Sequence, residues 1–534
     1  MDLNQEAPLV DLVGATEARA QWERVGIRQH HGICVPLFSL HSYKSAGIGE
    51  FPDLLPLISW LHKVGFDTLQ LLPLNDTGPN TSPYSAISAF ALNPLHLGIA
   101  SLPFIVEDSI LTGLLKELQL LNNTERVNYA KAQPLRDFFL KKYFDDFSSN
   151  FLDTPEYHRF VEENPWLLGY ALFKSIKSHC LWHSWTSWPE EIKNCPPDSY
   201  EKLQKKFETD ISYHSFIQYL CFKQMRQVKE HAESEGVFLK GDLPILLDLE
   251  SADIWLNRKL FNLELTAGAP PDAYSALGQS WGFPIYNWEE MENKNFAWWR
   301  QRLAVASNFY HIYRIDHIVG FFRIWGIPAN HSALEGYFIP SDPPQAIEQG
   351  NKLMKMMLSA SPMLPIGEDL GTVPPEVRKE LTDLGICGTR VMRWERKWKV
   401  DQSFIHPNDY APLSITTVST HDSSPLQLWW TENSDEAKAY CFSQGWEYKT
   451  PLSTEFQFAM LYASHHTNSL FHINLLNEYL ALIPGFVSAN PVDERINLPG
   501  VVSDENWSYR IRSSVETLVS APNLSSLMRN LIAE

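Results

Sequence analysis

Cysteine is scarce in this chain and falls in no pattern. The 534 residues hold six, Cys34, Cys180, Cys195, Cys221, Cys387 and Cys441. There is no C-x-x-C pair and no histidine motif at zinc spacing, which argues against a disulfide framework or a metal site and fits reduced thiols in a cytoplasm. Apolar runs of membrane-spanning length are also absent. The opening Met1-Asp2-Leu3-Asn4-Gln5-Glu6 is acidic where a secretory leader needs a basic flank and an apolar stretch, so the chain reads as unexported and without a membrane partner. Positive charge is in the minority. The 44 Lys and Arg against 63 Asp and Glu leave a net charge of −19, which repels a phosphate backbone and removes nucleic acid from the expected partners. No internal repeat and no low-complexity linker interrupts the chain.

What is present describes a globular protein with a sizeable core. Hydrophobic residues make up 44% and charged residues 20%, and the length exceeds one typical core, so two to four domains or one large barrel with insertions is expected. Aromatics reach 13%, with 18 Trp. Many must pack the interior, but planar rings also suit the flat apolar faces of sugars.

Hydrophobic periodicity orders these residues. An apolar run at Ile33–Leu40 and a Gly47-Ile48-Gly49-Glu50 loop precede a helical pattern from Pro52 to Val64, which Gly65 ends. Thr68–Leu74 then reads as a buried strand, completing the strand-helix-strand unit of a parallel α/β fold. The polar, aromatic stretch Thr81–Pro94 has the character of a binding loop. Residues 100–235 are patterned as helices with charged faces, for which a solvated surface is the plain explanation. Strand patterns resume at Val237–Leu247, Tyr310–Asp316, Met363–Glu368, Gly388–Trp394, Ile415–Asp422 and Phe486–Asn490, eight in all with the first two. Several end on Asp242, Asp316, Glu368-Asp369 or His421-Asp422. Polar groups at strand ends on one face build the active sites of (β/α)8 TIM barrels. That fold, with helical insertions in the barrel loops, is expected: residues 1–99 begin the barrel, 100–235 form a mainly helical insertion, and 236–534 complete it, with a lid loop at 268–283.

The chemistry concentrates in three places. His311–Phe322 is an apolar strand that sets Arg314, Asp316 and His317 together; taken alone, it fits a structural ion pair as well as a nucleophilic carboxylate beside a cation. Glu368 lies in Gly367-Glu368-Asp369-Leu370-Gly371 and Asp422 in Thr420-His421-Asp422-Ser423. Separations of 52 and 54 residues between the three carboxylates are what one or two β/α units impose, so the three can converge. Retaining cleavage of a glycosidic bond needs one carboxylate as nucleophile and one carboxylic acid for the leaving oxygen. A third would hold sugar hydroxyls.

At this point the chain resembles the amylomaltases, or disproportionating enzymes, a 4-α-glucanotransferase family of the α-amylase clan. The resemblance rests on the Gly47-Ile48-Gly49 loop, Ser82-Pro83-Tyr84, Asn93-Pro94-Leu95, Gly241-Asp242-Leu243-Pro244 and Ser251-Ala252-Asp253-Ile254-Trp255. It continues through Gly268-Ala269-Pro270-Pro271-Asp272, Gly278-Gln279-Ser280-Trp281-Gly282, Arg314-Ile315-Asp316-His317, the Glu368 and Asp422 motifs, and Arg495-Ile496-Asn497-Leu498-Pro499-Gly500. It implies Asp316 as nucleophile, Glu368 as general acid/base and Asp422 as transition-state stabiliser. It also implies sugar contacts from Ser82, Tyr84, Asp242, Arg314, His317, Asp369, His421 and Asn497, and a closing loop carrying Gln279 and Trp281. The expected partners are α-1,4-glucans such as maltodextrins and glycogen, with no cofactor and no metal; oligomeric state is left open. Phe283, Glu250 and Leu92 depart from the family pattern, and no starch-binding module precedes the barrel. A retaining hydrolase of the same clan and an inactive glucan-binding protein are the competing readings. Arg314 is expected to hold Asp316 ionised, and burial to keep Glu368 protonated.

Overall fold

In the computed structural model the described residues are 3–194, 196–271 and 276–533. Twelve strands run in chain order: β1 (His30–Val35), β2 (Thr68–Leu71), β3 (Phe238–Leu243), β4 (Phe261–Ala269), β5 (Gln279–Tyr286), β6 (Ile312–Ile315), β7 (Ile324–Pro328), β8 (Tyr337–Ile339), β9 (Leu364–Gly367), β10 (Gly388–Val391), β11 (Ser414–Thr417) and β12 (Phe471–Leu475). Eight of them form one sheet in the order β10-β11-β12-β1-β2-β3-β6-β9, every neighbouring pair parallel. The two ends meet: Ile366 and Cys387 form a parallel bridge, and Gly367 N–H donates to the Cys387 carbonyl at 2.8 Å. A closed parallel barrel with helices outside is the (β/α)8 architecture.

The barrel strands are short and mostly buried on both faces, as a parallel barrel wrapped in helices requires, with polar residues such as Lys240, Thr416 and Asn474 among the apolar ones. Each crossover helix follows from its own periodicity. Leu54–Val64 buries Leu54, Leu57, Ile58, Leu61 and Val64 on one stripe and stops at Gly65, whose φ of 85° is the left-handed cap that only glycine adopts without cost. Between β2 and β3, the 100–235 stretch contains the helices Ser109–Leu120, Tyr129–Phe147, Pro155–Glu163, Trp166–His179, Pro197–Lys206 and Glu208–Ser234. The last buries Phe216, Leu220, Met225 and Val228.

One sequence-based expectation is corrected here: the eighth barrel strand is Phe471–Leu475, and Phe486–Asn490, expected in that role, is bends and irregular chain. The strand escapes notice because His472 and Asn474 alternate with its apolar residues. Both are fully buried, Asn474 meeting Ser464 and Tyr479. The 268–283 stretch, expected as a lid loop, has regular structure at its edges. These edges form an antiparallel ribbon, with Gly268 opposite Ser280 and Ala269 opposite Gln279, within a four-stranded sheet ordered β5-β4-β7-β8 that the periodicity reading did not anticipate. The ribbon's tip, including Asp272, lies outside the described residues.

The layer between β1, β12 and the helices behind them is unusually rich in imidazoles. His31 Nδ1 and His465 Nδ1 lie 2.9 Å apart, His31 stacks on His472 with ring centroids 5.0 Å apart, and His465 Nε2 meets the Tyr479 hydroxyl at 2.8 Å. The His31 and His465 nitrogens can share one proton and cannot both carry one. Burial lowers His31 from 6.5 to about 4 and His472 to about 3, and drives His465 well down. A histidine depressed in the folded state stabilises fully above its unfolded value, and that stability is lost as pH falls from about 6.5 toward the folded values. Each such group contributes a slope of roughly 1–2 kcal/mol per pH unit across that window. The melting temperature should therefore drop steeply between pH 6.5 and pH 4, and His472→Gln should flatten the slope. Calorimetry giving the same melting temperature at both ends would refute this account of the cluster.

Candidate active site

The ends of β3, β6 and β9 are in register, so Asp242 pairs with Arg314 and Arg314 with Ile366 across neighbouring strands. Side chains two residues apart on a strand share a face, so Arg314 and Asp316 project together at the barrel's carboxyl end. Arg314 Nη1 lies 2.9 Å from Asp316 Oδ1 and donates to both Asp242 oxygens at 2.9 and 3.0 Å, while Nη2 is 3.6 Å from Glu368 Oε2. One guanidinium thus serves three carboxyl groups.

Glu368 is held by backbone donors. His317 N–H donates to Oε2 at 3.0 Å and Leu370 N–H to Oε1 at 2.8 Å. His317 makes this bond with φ of 43°, a left-handed conformation costly for a non-glycine residue and typical of functional sites. Burial lowers its imidazole to about 4, against the pull of Asp316, so the ring is neutral at pH 7. Trp281 on β5 packs edge-on against it, ring centroids 4.9 Å apart, and its indole N–H donates to Gln279 Oε1 at 3.1 Å.

Opposite, Tyr84 joins two walls of the cleft. Its hydroxyl donates to Asp242 Oδ2 at 2.8 Å and lies 2.8 Å from His421 Nε2. That nitrogen is also 3.2 Å from Asp422 Oδ2. The tyrosine proton is committed to Asp242 and an ionised Asp422 only accepts, so His421 Nε2 carries the hydrogen toward both. Asn497 Nδ2 donates to Asp422 Oδ1 at 2.7 Å.

The carboxyls divide electrostatically. For Asp422, desolvation in the cleft works upward, but the His421 imidazole and the Asn497 amide prevail and hold it down at about 2. Its side chain is nonetheless 45% exposed, accessible to a ligand. Glu368 is pushed up by burial, against Arg314 and the two backbone donors. Asp316 is also pushed up, since burial outweighs the guanidinium and Asp242 and Glu368 add repulsion. The net shift of Asp316 is thus the reverse of the expected one: Arg314 does pull it down, but burial outweighs that pull.

Of the other sequence-predicted residues, Ser82 sits in the same loop as Tyr84, its hydroxyl 3.4 Å from the Tyr84 N–H. Asp242 and Asp369 are each 1% exposed with both oxygens engaged, Asp242 by Arg314 and Tyr84, Asp369 by Arg378, Arg390 and Thr389 N–H. Trp507 was not anticipated. Its ring lies against Tyr84 and His421, with centroids 5.5 and 6.0 Å away, and nothing in its sequence neighbourhood marks it. Glu478 was missed as well: buried behind the Asp422 loop, it accepts from the Ser419 hydroxyl and Leu426 N–H. A separate hollow of about 340 Å³, walled by Phe90, Trp166, Trp298 and Leu256, lies between insertion and barrel and touches none of the three proposed catalytic carboxylates. Among the described residues no group of three or more His, Cys, Asp or Glu is arranged to hold a metal ion, and no helix is long and apolar enough to cross a membrane.

Residues 35–516 match the family model described as 4-alpha-glucanotransferase. The chain belongs to that family. It is 45% identical to the 4-alpha-glucanotransferase of Chlamydia muridarum across 96% of this chain and 97% of the relative, and 30% identical to that of Aquifex aeolicus across 90% and 95%. Among solved structures, the amylomaltase of Streptococcus agalactiae in complex with acarbose superposes with a TM-score of 0.79 at 26% identity, covering 94% of this chain and 98% of that one. The Corynebacterium glutamicum amylomaltase, at 20% identity and the same TM-score of 0.79, shares the fold.

In this member of the family the clamp at Arg314 is testable. A lysine keeps the charge but not the planar fork that reaches Asp242, Asp316 and Glu368 together. Arg314→Lys should lower kcat on the order of 100-fold or more, with a smaller effect on melting temperature. A kcat within about twofold of native would show the fork to be dispensable.

Proposed function

We propose that the chain transfers α-1,4-glucan segments between maltodextrins by a retaining double displacement, with glycogen-type glucans as further partners. The observation that carries this reading is the sharing of one buried guanidinium by Asp316 and Glu368 at the barrel's carboxyl end. Asp316 attacks the anomeric carbon of the donor. The bond from that carbon to the leaving 4-oxygen breaks as Glu368 delivers its proton there. The glycosyl-enzyme is then attacked by the 4-hydroxyl of an acceptor, whose proton returns to Glu368 while the bond to Asp316 breaks. Short donors release glucose in the first half.

Asp316 lies nearer the guanidinium than Glu368, 2.9 against 3.6 Å, and so keeps its charge when the two share a single proton. Asp422, ionised at all working pH values, takes sugar hydroxyls and steadies the oxocarbenium-like transition state together with His421 and Asn497. His317, Tyr84 and Ser82 line the donor site. Asp242 and Asp369, whose oxygens are occupied by protein donors, shape it through Arg314 and Arg390. Trp281 and Gln279 close over the bound chain and exclude water, which favours a sugar acceptor. The reaction needs no cofactor, and cysteines without disulfide partners fit a cytoplasmic setting.

Maltotriose should yield a ladder of longer maltodextrins plus glucose, with little net rise in reducing ends, on chromatography. Reducing ends that rise in step with donor loss would make the chain a hydrolase, and no products would make it a binding protein. Activity should survive a chelator; complete loss restored by calcium would overturn the metal-free mechanism. For the division of labour, mass spectrometry with a glycosyl fluoride donor decides. Asp316→Asn should form no adduct, whereas Glu368→Gln should form one and release it slowly, since fluoride needs no proton to leave but the acceptor needs a base. The opposite pattern would exchange the two roles.

A further inference from the structure

Below the Arg314 level the barrel holds a second cation that the mechanism above does not use. Lys240 is 1% exposed and sits on β3 two residues before Asp242, on the same face of the strand. Strand register places it level with Gln70 on β2 and Ile312 on β6, while Asp242 is level with Arg314. Cys34 on β1 is in turn level with Gln70. The ammonium makes one hydrogen bond, to the neutral Gln70 Oε1 at 2.7 Å. A buried ammonium with a single uncharged partner is costly, and such a group persists when the charge itself is needed nearby.

The charges above it supply that need. Asp242, Asp316 and Glu368 crowd around the single guanidinium of Arg314. With Glu368 protonated, two carboxylates still face one cation. We propose that Lys240 is a positioning residue for the transfer reaction, a second buried cation one layer under Arg314 that lets Asp242 and Asp316 be ionised together. This rests on the reading of Asp316 as nucleophile.

The groups acting on Lys240 from the surrounding strands are Asp242, Arg314 and the thiols of Cys34 and Cys387. Both thiols are uncharged at neutral pH, burial raising Cys34 to about 12 and Cys387 further. Of these groups, Asp242 is the one whose negative charge answers the lysine. Burial brings Lys240 itself down to about 8, so it carries its proton through the neutral range and gives it up on the alkaline side.

Two variants of the full chain test this by the pH dependence of kcat and KM for maltotriose. Lys240→Met removes the charge; Gln70→Glu leaves the lysine in place and cancels its charge with a new carboxylate 2.7 Å away. Both should move the acid limb of kcat, which reports ionisation of Asp316, upward by about one pH unit, a roughly tenfold lower rate on the acid side. KM should change less than about threefold. The Lys240→Met and native profiles should converge above pH about 8, where native Lys240 is discharged. Acid limbs coinciding with native in the folded variants, whatever the change in melting temperature, would reduce Lys240 to a packing role and overturn the proposal. If Lys240→Met does not fold, the limb of Gln70→Glu decides. A native enzyme that makes no maltodextrin ladder would be a failure of the transferase reading instead, and is seen before either variant is made.

Discussion

A guanidinium with three acids to satisfy is the constraint on which the rest of this active site depends. Arg314 is buried at the carboxyl end of β6, where a lone cation would be expensive, and Asp242 meets it from the neighbouring strand because the barrel register puts the two side by side. From Asp242 a line of hydrogen bonds continues through Tyr84 and His421 to Asp422 and Asn497. It joins β6, β3, the loop after β2, the loop after β11 and the C-terminal segment. Displacing any one link leaves a buried polar group without its partner. Residues from five distant parts of the chain are thereby fixed around a space that only the strand ends define.

The same constraint separates the carboxyls by role. Burial acts on all three and raises those that share Arg314, while Asp422, open to solvent on one side and backed by an imidazole and an amide, remains an anion to about pH 2. In the proposed mechanism the two carboxyls that share Arg314 serve as nucleophile and acid, and Asp422, held ionised, faces the positive charge that develops on the sugar.

Much of this was legible in the sequence because barrel strand ends carry their chemistry in plain view. Polar residues closing several apolar runs, as in Arg314-Ile315-Asp316 and Gly367-Glu368-Asp369, point jointly to one face of a barrel, although each run alone also fits a structural ion pair. Less was legible where polarity serves packing. Phe471–Leu475 looks like a loop because His472 and Asn474 face a polar helix layer, and no periodicity reading distinguishes a buried alternating strand from an exposed one. The direction of the Asp316 shift was unreadable for a different reason. It depends first on how deeply the carboxyl is buried and then on the acids beside it, and Asp242 joins them only when β3 is seen beside β6. Lys240 was hidden likewise, since a lysine in a strand pattern reads as an edge or surface position until the register places it inside.

Two of the residues that depart from the expected pattern, Glu250 and Leu92, are bonded to the helical insertion. Glu250 accepts from Lys177, Ser184 and the Trp185 N–H, tying the loop after β3 to the insertion, and the Leu92 backbone is paired on both sides with the Gln218 amide at 2.8 Å. Asp76, at the start of the loop that carries Tyr84, takes the Tyr170 hydroxyl at 2.6 Å and the Lys174 ammonium at 2.5 Å, and Gln133 donates to the Gly78 carbonyl. On its barrel side the loop is held by Asp253, which accepts from Ala89 N–H and the Trp298 indole at 2.9 Å. A loop fastened at both edges positions Tyr84 without bonds from Tyr84 itself, which frees its hydroxyl to bridge Asp242 and His421. Glu250 and Leu92 thus lie on the supports of the loop rather than on its working face. Changes there act on the cleft wall, at a remove from the carboxylates proposed to perform the reaction.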